Sequence, residues 1–589
     1  MNWEEIKTRE DFANYIGIPY KYITYLLYSK RIENLYDSFE IPKKSGGVRV
    51  IHSPKPELKR VQQRFLKKLE ERYAILENSG KVSSKLAHGF IKSKSIITNA
   101  KLHRNKHLVL NVDIENFFQS FHFGRVVGFF EKNKNFLVPS EVAILIAQIT
   151  CYDGSLPQGS PCSPIITNFI CQILDFRISK LAKRYNLNYS RYADDMTFST
   201  NDKRFWDRYS DFIFEITRVI DNAGFVINKN KTRVQSNRYR QEVTGLVVNK
   251  KVNVLKSFSK NTRAMAYSHY TKGEFWIDGE RGTLNQLFGR FNFIDQLEKY
   301  NNKIMRDLSL QKNYTEHQKY LLKKCKKGKS KFDYLNNLTS KEKEFRKFLY
   351  YYYFFYNSTP VIVTEGKTDN RYIKAALKKY YSDYPCLIQK SEDGKFVFSV
   401  KFLKRTSLLN YYFKFSKDGA DSMKNLSNFW FGGVDEKSFP NYSKYFQKLT
   451  NHIALSPVIF IFDNELKDNK KPIRNFINHI SNNSKQDYIK KVRQDNYSNI
   501  EDNLYLLTLP SKNEDTEIED LFDRTVLNHK IQGKKFSKES NYDINQYCGK
   551  NEFSNYILRN YKNIDFKNFK PLLNNLNKII ADYRQNDNK

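Results

Sequence analysis

Two adjacent carboxylates, Asp194 and Asp195, lie in the run Tyr189-Ser190-Arg191-Tyr192-Ala193-Asp194-Asp195-Met196-Thr197-Phe198. The flanking residues favour strands, which places the pair at the tip of a hairpin. Like charges held together repel one another, and a bound divalent cation removes that cost. Upstream, the short apolar run Leu108-Val109-Leu110-Asn111-Val112-Asp113-Ile114 reads as a buried strand that delivers Asp113 to its end. If the two strands are neighbours, Asp113, Asp194 and Asp195 converge. Such a trio can hold two Mg2+ ions about 3.5 to 4 Å apart, one activating an attacking hydroxyl and one stabilising a leaving pyrophosphate. That is nucleotidyl-transfer chemistry.

Several elements must position these acids. The loop Leu156-Pro157-Gln158-Gly159-Ser160-Pro161-Cys162-Ser163-Pro164 combines a glycine that permits close backbone approach with prolines that stiffen it. Ile41-Pro42-Lys43-Lys44-Ser45-Gly46-Gly47-Val48-Arg49-Val50-Ile51 reads as a hairpin with cations at its tip. A helix over 211–223, with Ile213, Ile216, Val219 and Ile220 on one face and Gly224 as its stop, should back the sheet. Composition agrees with a polyanionic partner. Lys plus Arg number 100 against 63 Asp plus Glu in 589 residues, a net charge of +37, and each phosphate contact made by such a surface releases counterions. The 15% aromatic content supplies rings on which bases can stack. The cysteines at 151, 162, 171, 325, 386 and 548 show neither CxxC nor paired-His spacing, which argues against zinc and disulfides and for a reducing cytoplasm. The N-terminus does not read as a signal peptide, and no run approaches a membrane span.

Tyr192-Ala193-Asp194-Asp195 with Asp113, the Gln158-Gly159 loop and Gly224-Phe225-Val226-Ile227-Asn228-Lys229-Asn230-Lys231-Thr232 together resemble the palm of a reverse transcriptase, in that family's order. The resemblance implies a right-hand fold of fingers, palm and thumb, with Lys231 near the triphosphate. It makes Lys43, Lys44 and Arg49 grips for the incoming nucleotide and gives Gln158 and Gly159 a place under the nascent base pair. Phe118 would be the ring that crowds the sugar 2′ position and selects dNTPs. Asn99-Ala100-Lys101-Leu102-His103 and Val243-Thr244-Gly245 match the NAxxH and VTG signatures of retron enzymes, which makes Asn99, His103, Val243, Thr244 and Gly245 candidates for RNA contact. An Asn and a His four residues apart could equally bond one another across a helical turn.

The C-terminal part has its own acids. Pro360-Val361-Ile362-Val363-Thr364 runs into Glu365-Gly366-Lys367-Thr368-Asp369, and Pro457-Val458-Ile459-Phe460-Ile461-Phe462 runs into Asp463-Asn464-Glu465. Two parallel strands ending in acids would set Glu365, Asp463 and Glu465 at the carboxyl edge of a sheet, where α/β folds bind ligands. This pattern is similar to a Toprim domain of the overcoming-lysogenization-defect nucleases, with Asp369 in the nuclease-type variant and Glu519 as a further ligand. The usual Asp-x-Asp is replaced by Asp463-Asn464-Glu465, where Glu is still a hard oxygen ligand but shifts the metal.

The expected fold is therefore multidomain, α/β with α+β. Reverse transcriptase fingers and palm occupy 1–245, a thumb 246–332, a helical connector 333–359, a Rossmann-like Toprim domain with an insertion 360–525 and a helical cap 526–589. Lysines crowd 319–331 beside the thumb. The two resemblances imply a cytoplasmic retron polymerase that copies a structured noncoding RNA (msr-msd) into branched msDNA using Mg2+ and dNTPs. They also imply a fused nuclease using Mg2+ or Mn2+ on a DNA or RNA target as an antiphage effector. No membrane partner is implied, and a homo-oligomer is left open. The alternatives are a non-catalytic Toprim module that only binds nucleic acid or a partner, and a group II intron-like enzyme.

Overall fold

The computed structural model describes residues 2–43, 46–83, 85–308, 335, 338–416, 421–433, 436, 438–480, 485–510, 515–539 and 541–586. Lys44 and the lysine-rich stretch 319–331 lie outside the described residues. The chain divides into two compact units, Met1–Phe258 with Leu297–Asn301, and Ser259–Gln296 with Asn302–Lys589.

The first unit opens with short helices, including Arg9–Ile16 and Tyr20–Thr24, followed by a hairpin of β1 (Tyr36–Pro42) and β2 (Val48–Pro54). Its main sheet has four antiparallel strands: β3 (Leu108–Ile114), β4 (Asn188–Tyr192), β5 (Asp195–Thr200) and β6 (Ile227–Ser236), in the order β4-β5-β3-β6. β3 is central and almost wholly buried, as its apolar run requires. Helices Ser163–Arg184 and Tyr209–Asp221 belong to the same core as the sheet. In the second of these, Phe212, Ile216 and Ile220 are buried, while Ile213 and Val219 are only partly so. The expected stripe is therefore rotated by about one residue, because the larger Phe212 ring takes the central place.

The second unit holds a five-stranded sheet. Lys401–Phe402, Val361–Thr364, Val458–Phe462 and Leu504–Thr508 run parallel in that order, and Tyr497–Glu501 adds an antiparallel edge. Successive side chains of a strand point to opposite faces, and the cores follow that rule. Val361, Val363, Phe460 and Phe462 join one core with Phe345, Phe348 and Tyr351 of the connector and Tyr270, Leu287 and Phe291 of the preceding helices. Ile362, Ile459 and Ile461 join the other, with Tyr372, Phe553 and Phe569. The aromatic connector is thus packed core, and the C-terminal helices close the opposite face. Within the expected insertion, the hairpin Ile388–Lys390 with Phe396–Phe398 is separate, whereas Lys401–Phe402 extends the sheet itself.

Candidate active sites

In the first unit, β4 and β5 pair Tyr192 with Asp195, leaving Ala193 and Asp194 as a two-residue loop. Asp113 on β3 pairs directly with Asp195, and the Ile114 N–H donates to the Asp194 carbonyl at 3.1 Å. The three acids converge because adjacent strands deliver them. Burial and then the neighbouring Asp113 raise the Asp194 carboxyl above its ordinary value. Burial and then Asp194 push Asp195 up to about 6. Lys231 on β6 donates to both Asp113 oxygens, at 2.9 and 3.2 Å, and this bond raises the lysine in turn.

Arg49 on β2 lies close enough to offset part of the Asp194 shift. The Gln158 carbonyl accepts from the His52 N–H at 2.8 Å. Gly159, at φ +118, is packed so tightly that a Cβ would lie 2.6 Å from the His52 carbonyl. Its close approach is therefore to the β2 backbone, a correction to the expectation that it faces the nucleotide: glycine here lets the loop dock on the hairpin. Phe117 is buried, stacked on Phe225, and meets Phe118 edge-on. Phe118 itself stays half-buried. Lys43 closes the hairpin turn through its backbone, which bonds the Gly47 carbonyl.

The sequence reading passed over what holds the acidic loop. Ala193 has φ 55, a left-handed conformation that costs a non-glycine residue about 1–2 kcal/mol. Fully buried Arg191 holds it, donating to the Ala193 carbonyl at 3.0 Å and to both Asp175 oxygens at 2.8 and 2.7 Å. Asn168 bonds Arg191 and the Gly89 carbonyl. At Gly89 a Cβ would stand 2.7 Å from the Ala193 nitrogen. A lone arginine between tyrosines, three residues ahead of the acidic pair, was the available signal.

Asn99, His103 and Val243 are completely buried, which corrects the expectation that they touch RNA. Asn99 and His103 do not bond each other. Both reach Ser190 on β4: its hydroxyl donates to Asn99 Oδ1 at 2.6 Å and lies 2.7 Å from His103 Nε2. His103 Nδ1 meets the Ser199 hydroxyl on β5 at 2.8 Å. Burial depresses His103 to about 3, so the ring is neutral. Thr244, at φ 47, reaches the Ile96 carbonyl at 3.4 Å, tying the VTG turn to the helix Ile96–Leu102 that carries Asn99. Of the five, only Gly245 is exposed and Thr244 half-exposed.

In the second unit the acids gather at the carboxyl edge of the sheet. Burial, then Asp369 and Glu465, push Glu365 up to about 7, and its buried Oε2 has no hydrogen-bond partner. Burial and then Asp369 hold Asp463 well above the carboxylate range. Asp369 is likewise raised by burial, against the opposing Gly366 N–H, which donates to it at 2.7 Å. Glu465 is paired with Lys471. Asn464 turns the other way, its amide donating to the Leu509 carbonyl at 2.8 Å, so the substitution in the motif is seen only at Glu465. Glu519 is fully buried and paired with Lys550 at 3.1 Å, with the Tyr372 hydroxyl at 3.4 Å. Arg405 donates to the Thr364 and Glu365 carbonyls at 2.8 and 2.9 Å and fixes the strand end.

Both donor sets suit a hard divalent cation, since mutually repelled, desolvated carboxylates are what such an ion stabilises. The unpartnered Glu365 oxygen and the raised Asp194 and Asp195 are the specific signs. As placed, no group of three His, Cys, Asp or Glu among the described residues is drawn into a finished metal cage.

Residues 41–258 match the family described as reverse transcriptase (RNA-dependent DNA polymerase). Retron Ec86 reverse transcriptase of Escherichia coli is 33% identical over 276 residues, covering 45% of this chain and 82% of that protein. Retron Mx162 reverse transcriptase of Myxococcus xanthus is 33% identical over 320 residues, covering 49% of this chain and 64% of that protein, just under two thirds of its length. Retron Mx65 reverse transcriptase of the same organism is 32% identical over 306 residues, covering 49% and 69%. Among solved structures, a telomerase from Candida albicans with a fragment of telomeric RNA aligns at a TM-score of 0.32 and 12% identity, over 54% of this chain and 64% of that one, below the level at which a shared fold can be argued. No helix among the described residues is long and apolar enough to cross a membrane. On the strength of its relatives, this chain belongs to the family of retron reverse transcriptases.

Proposed function

We propose that the first unit is an RNA-directed DNA polymerase that copies a structured noncoding RNA into branched msDNA. The observation that carries this reading is the convergence of Asp113, Asp194 and Asp195 from paired strands beside Lys231, in a chain of the retron family. Mg2+ held by the three acids would activate the primer hydroxyl and stabilise pyrophosphate. Lys231 and Arg49 bind and orient the triphosphate, Arg49 by its two-pronged fork, with Lys43 at the turn of the same hairpin. Phe118 excludes a 2′-hydroxyl, and Gln158, in a loop that Gly159 lets dock on β2, supports the base pair. Thr244 and Gly245 remain as RNA contacts from the signature turn.

The second unit is read as a Toprim nuclease that uses Mg2+ or Mn2+ at Glu365, Asp369, Asp463 and Glu465, serving as the effector of an antiphage system. What supports this is a mostly parallel sheet with mutually repelling acids at its carboxyl edge, among them Glu365 with one oxygen that has no hydrogen-bond partner. Glu519, neutralised by Lys550, shapes the site from behind. The protein is expected to act in the cytoplasm. Sequencing the nucleic acid that co-purifies from cells carrying the native locus, with and without debranching enzyme, tests the retron reading. A short DNA whose 5′ end is freed only by debranching is expected, and intron RNA without branched DNA would overturn it.

A further inference from the structure

Beside the acidic edge of the second unit lies a set of lysines that neither acid cluster uses. Helix Asp369–Lys379 begins at the edge and carries Lys374 and Lys378, which at a spacing of four share one side of the helix, about 5–6 Å apart at Cβ. The strand Lys401–Phe402 runs parallel to Val361–Thr364, so Lys404 emerges at the same edge, next to the Arg405 that grips the Glu365 carbonyl.

Lys374 and Lys378, with Lys390 of the neighbouring hairpin, lie beside rings. Lys374 Nζ sits 4.8 Å from the Phe402 ring centre and 5.8 Å from that of Phe398. Lys378 stands 5.6 Å from both Phe396 and Tyr561. Lys390 stands 6.0 Å from Phe396 and 5.7 Å from Tyr381. Among the described residues, none of Lys374, Lys378, Lys390 and Lys404 makes an ion pair, although acids elsewhere in the unit are paired readily. Lys374 is depressed by burial and then by Lys404 and Lys378, with no carboxylate in opposition.

A solubilising lysine extends into water or finds a carboxylate. Here Lys374 and Lys378 are held half-buried beside aromatic rings, one helical turn apart and with Lys404 close by, so an anion from outside relieves their repulsion, and a row of such cations suits a row of phosphates. Half-buried rings between the charges add surfaces for bases.

We propose that Lys404, Lys374, Lys378 and Lys390 form a track along which a nucleic-acid strand runs to the acidic edge. The track names a nucleic-acid backbone as the substrate class of the proposed nuclease and rests on that reading only for what happens at its end.

The test is photo-cross-linking of a short 4-thiothymidine-containing DNA, single-stranded and duplex, to the full chain, followed by peptide mass spectrometry. Cross-links at Phe396, Phe398 or Tyr561 are expected with at least one form. In the full-length Lys374→Gln/Lys378→Gln protein their yield should fall about tenfold, as expected for lost phosphate contacts, while Lys374→Arg/Lys378→Arg keeps them. Cross-links confined to residues 1–258, or yields unchanged by the glutamine pair, would overturn the track. Cross-links on this face with no cleavage in Mg2+ or Mn2+ would instead retain the track and overturn the nuclease reading.

Discussion

At the scale of residues, the acidic loop depends on a buried cation as much as on its carboxylates. Arg191 and Asp175 are both almost completely buried and joined at 2.7 Å. Removing one partner strands the other's charge, which costs about 3–5 kcal/mol. Arg191→Met should therefore lower the melting temperature and abolish DNA synthesis, and Arg191→Met/Asp175→Asn should recover part of the stability; calorimetry of the single and double variants checks this. The buried histidines set a pH dependence. His103 is depressed to about 3 and His88 to about 4, in both cases chiefly by burial. The unfolded chain binds more protons than the folded one between those values and the ordinary histidine value near 6.5. Stability is then fully present above about 6.5 and is lost as pH falls, by up to about 1.4 kcal/mol per unit for each ring. Thermal melts across this range should show that slope, and His103→Gln should flatten it.

At the scale of elements, glycine decides how segments approach one another. The stretch ending in Gly89 pairs with the edge of β4, the His88 N–H donating to the Arg191 carbonyl at 2.8 Å. A methyl group at Gly89 would collide with the Ala193 backbone. Gly89→Ala should displace the acidic loop and lower DNA synthesis by about a hundredfold, the scale of losing one aligned transition-state contact, while circular dichroism stays that of the parent. Gly17, where an added Cβ would meet nothing within 4 Å, is the control position: alanine there should leave synthesis within about twofold, its left-handed strain costing about 1–2 kcal/mol of stability.

At the scale of the whole molecule, each compact unit carries its own acidic centre, so the two proposed chemistries should be separable. Asp194→Asn should abolish DNA synthesis and leave cleavage by pre-assembled protein intact. Glu365→Gln should do the reverse, removing cleavage and cell toxicity while msDNA still accumulates. Primer-extension and nuclease assays on the same preparations check both. If neither preparation cleaves, the second unit is a binding module.

The sequence by itself determined the strands, because β3 is apolar but for Asn111 and Asp113 and Val458–Phe462 is an unbroken apolar run, and it determined that acids stand at their ends. The hairpin loop at Asp194 and the parallel acidic strands were legible for that reason. Only the tertiary structure decided that Asn99 and His103 meet on Ser190 rather than on RNA or on each other, and that Gly159 yields to a backbone rather than to a nucleotide. Likewise, only the tertiary structure brought Lys550 to Glu519 and the lysines of one helix onto rings from a distant hairpin. Periodicity and motif spacing report neighbours along the chain. Burial, charge pairing and close approach depend on which segments meet across it, and those contacts join residues 91 positions apart for Ser190 and Asn99 and 31 apart for Lys550 and Glu519.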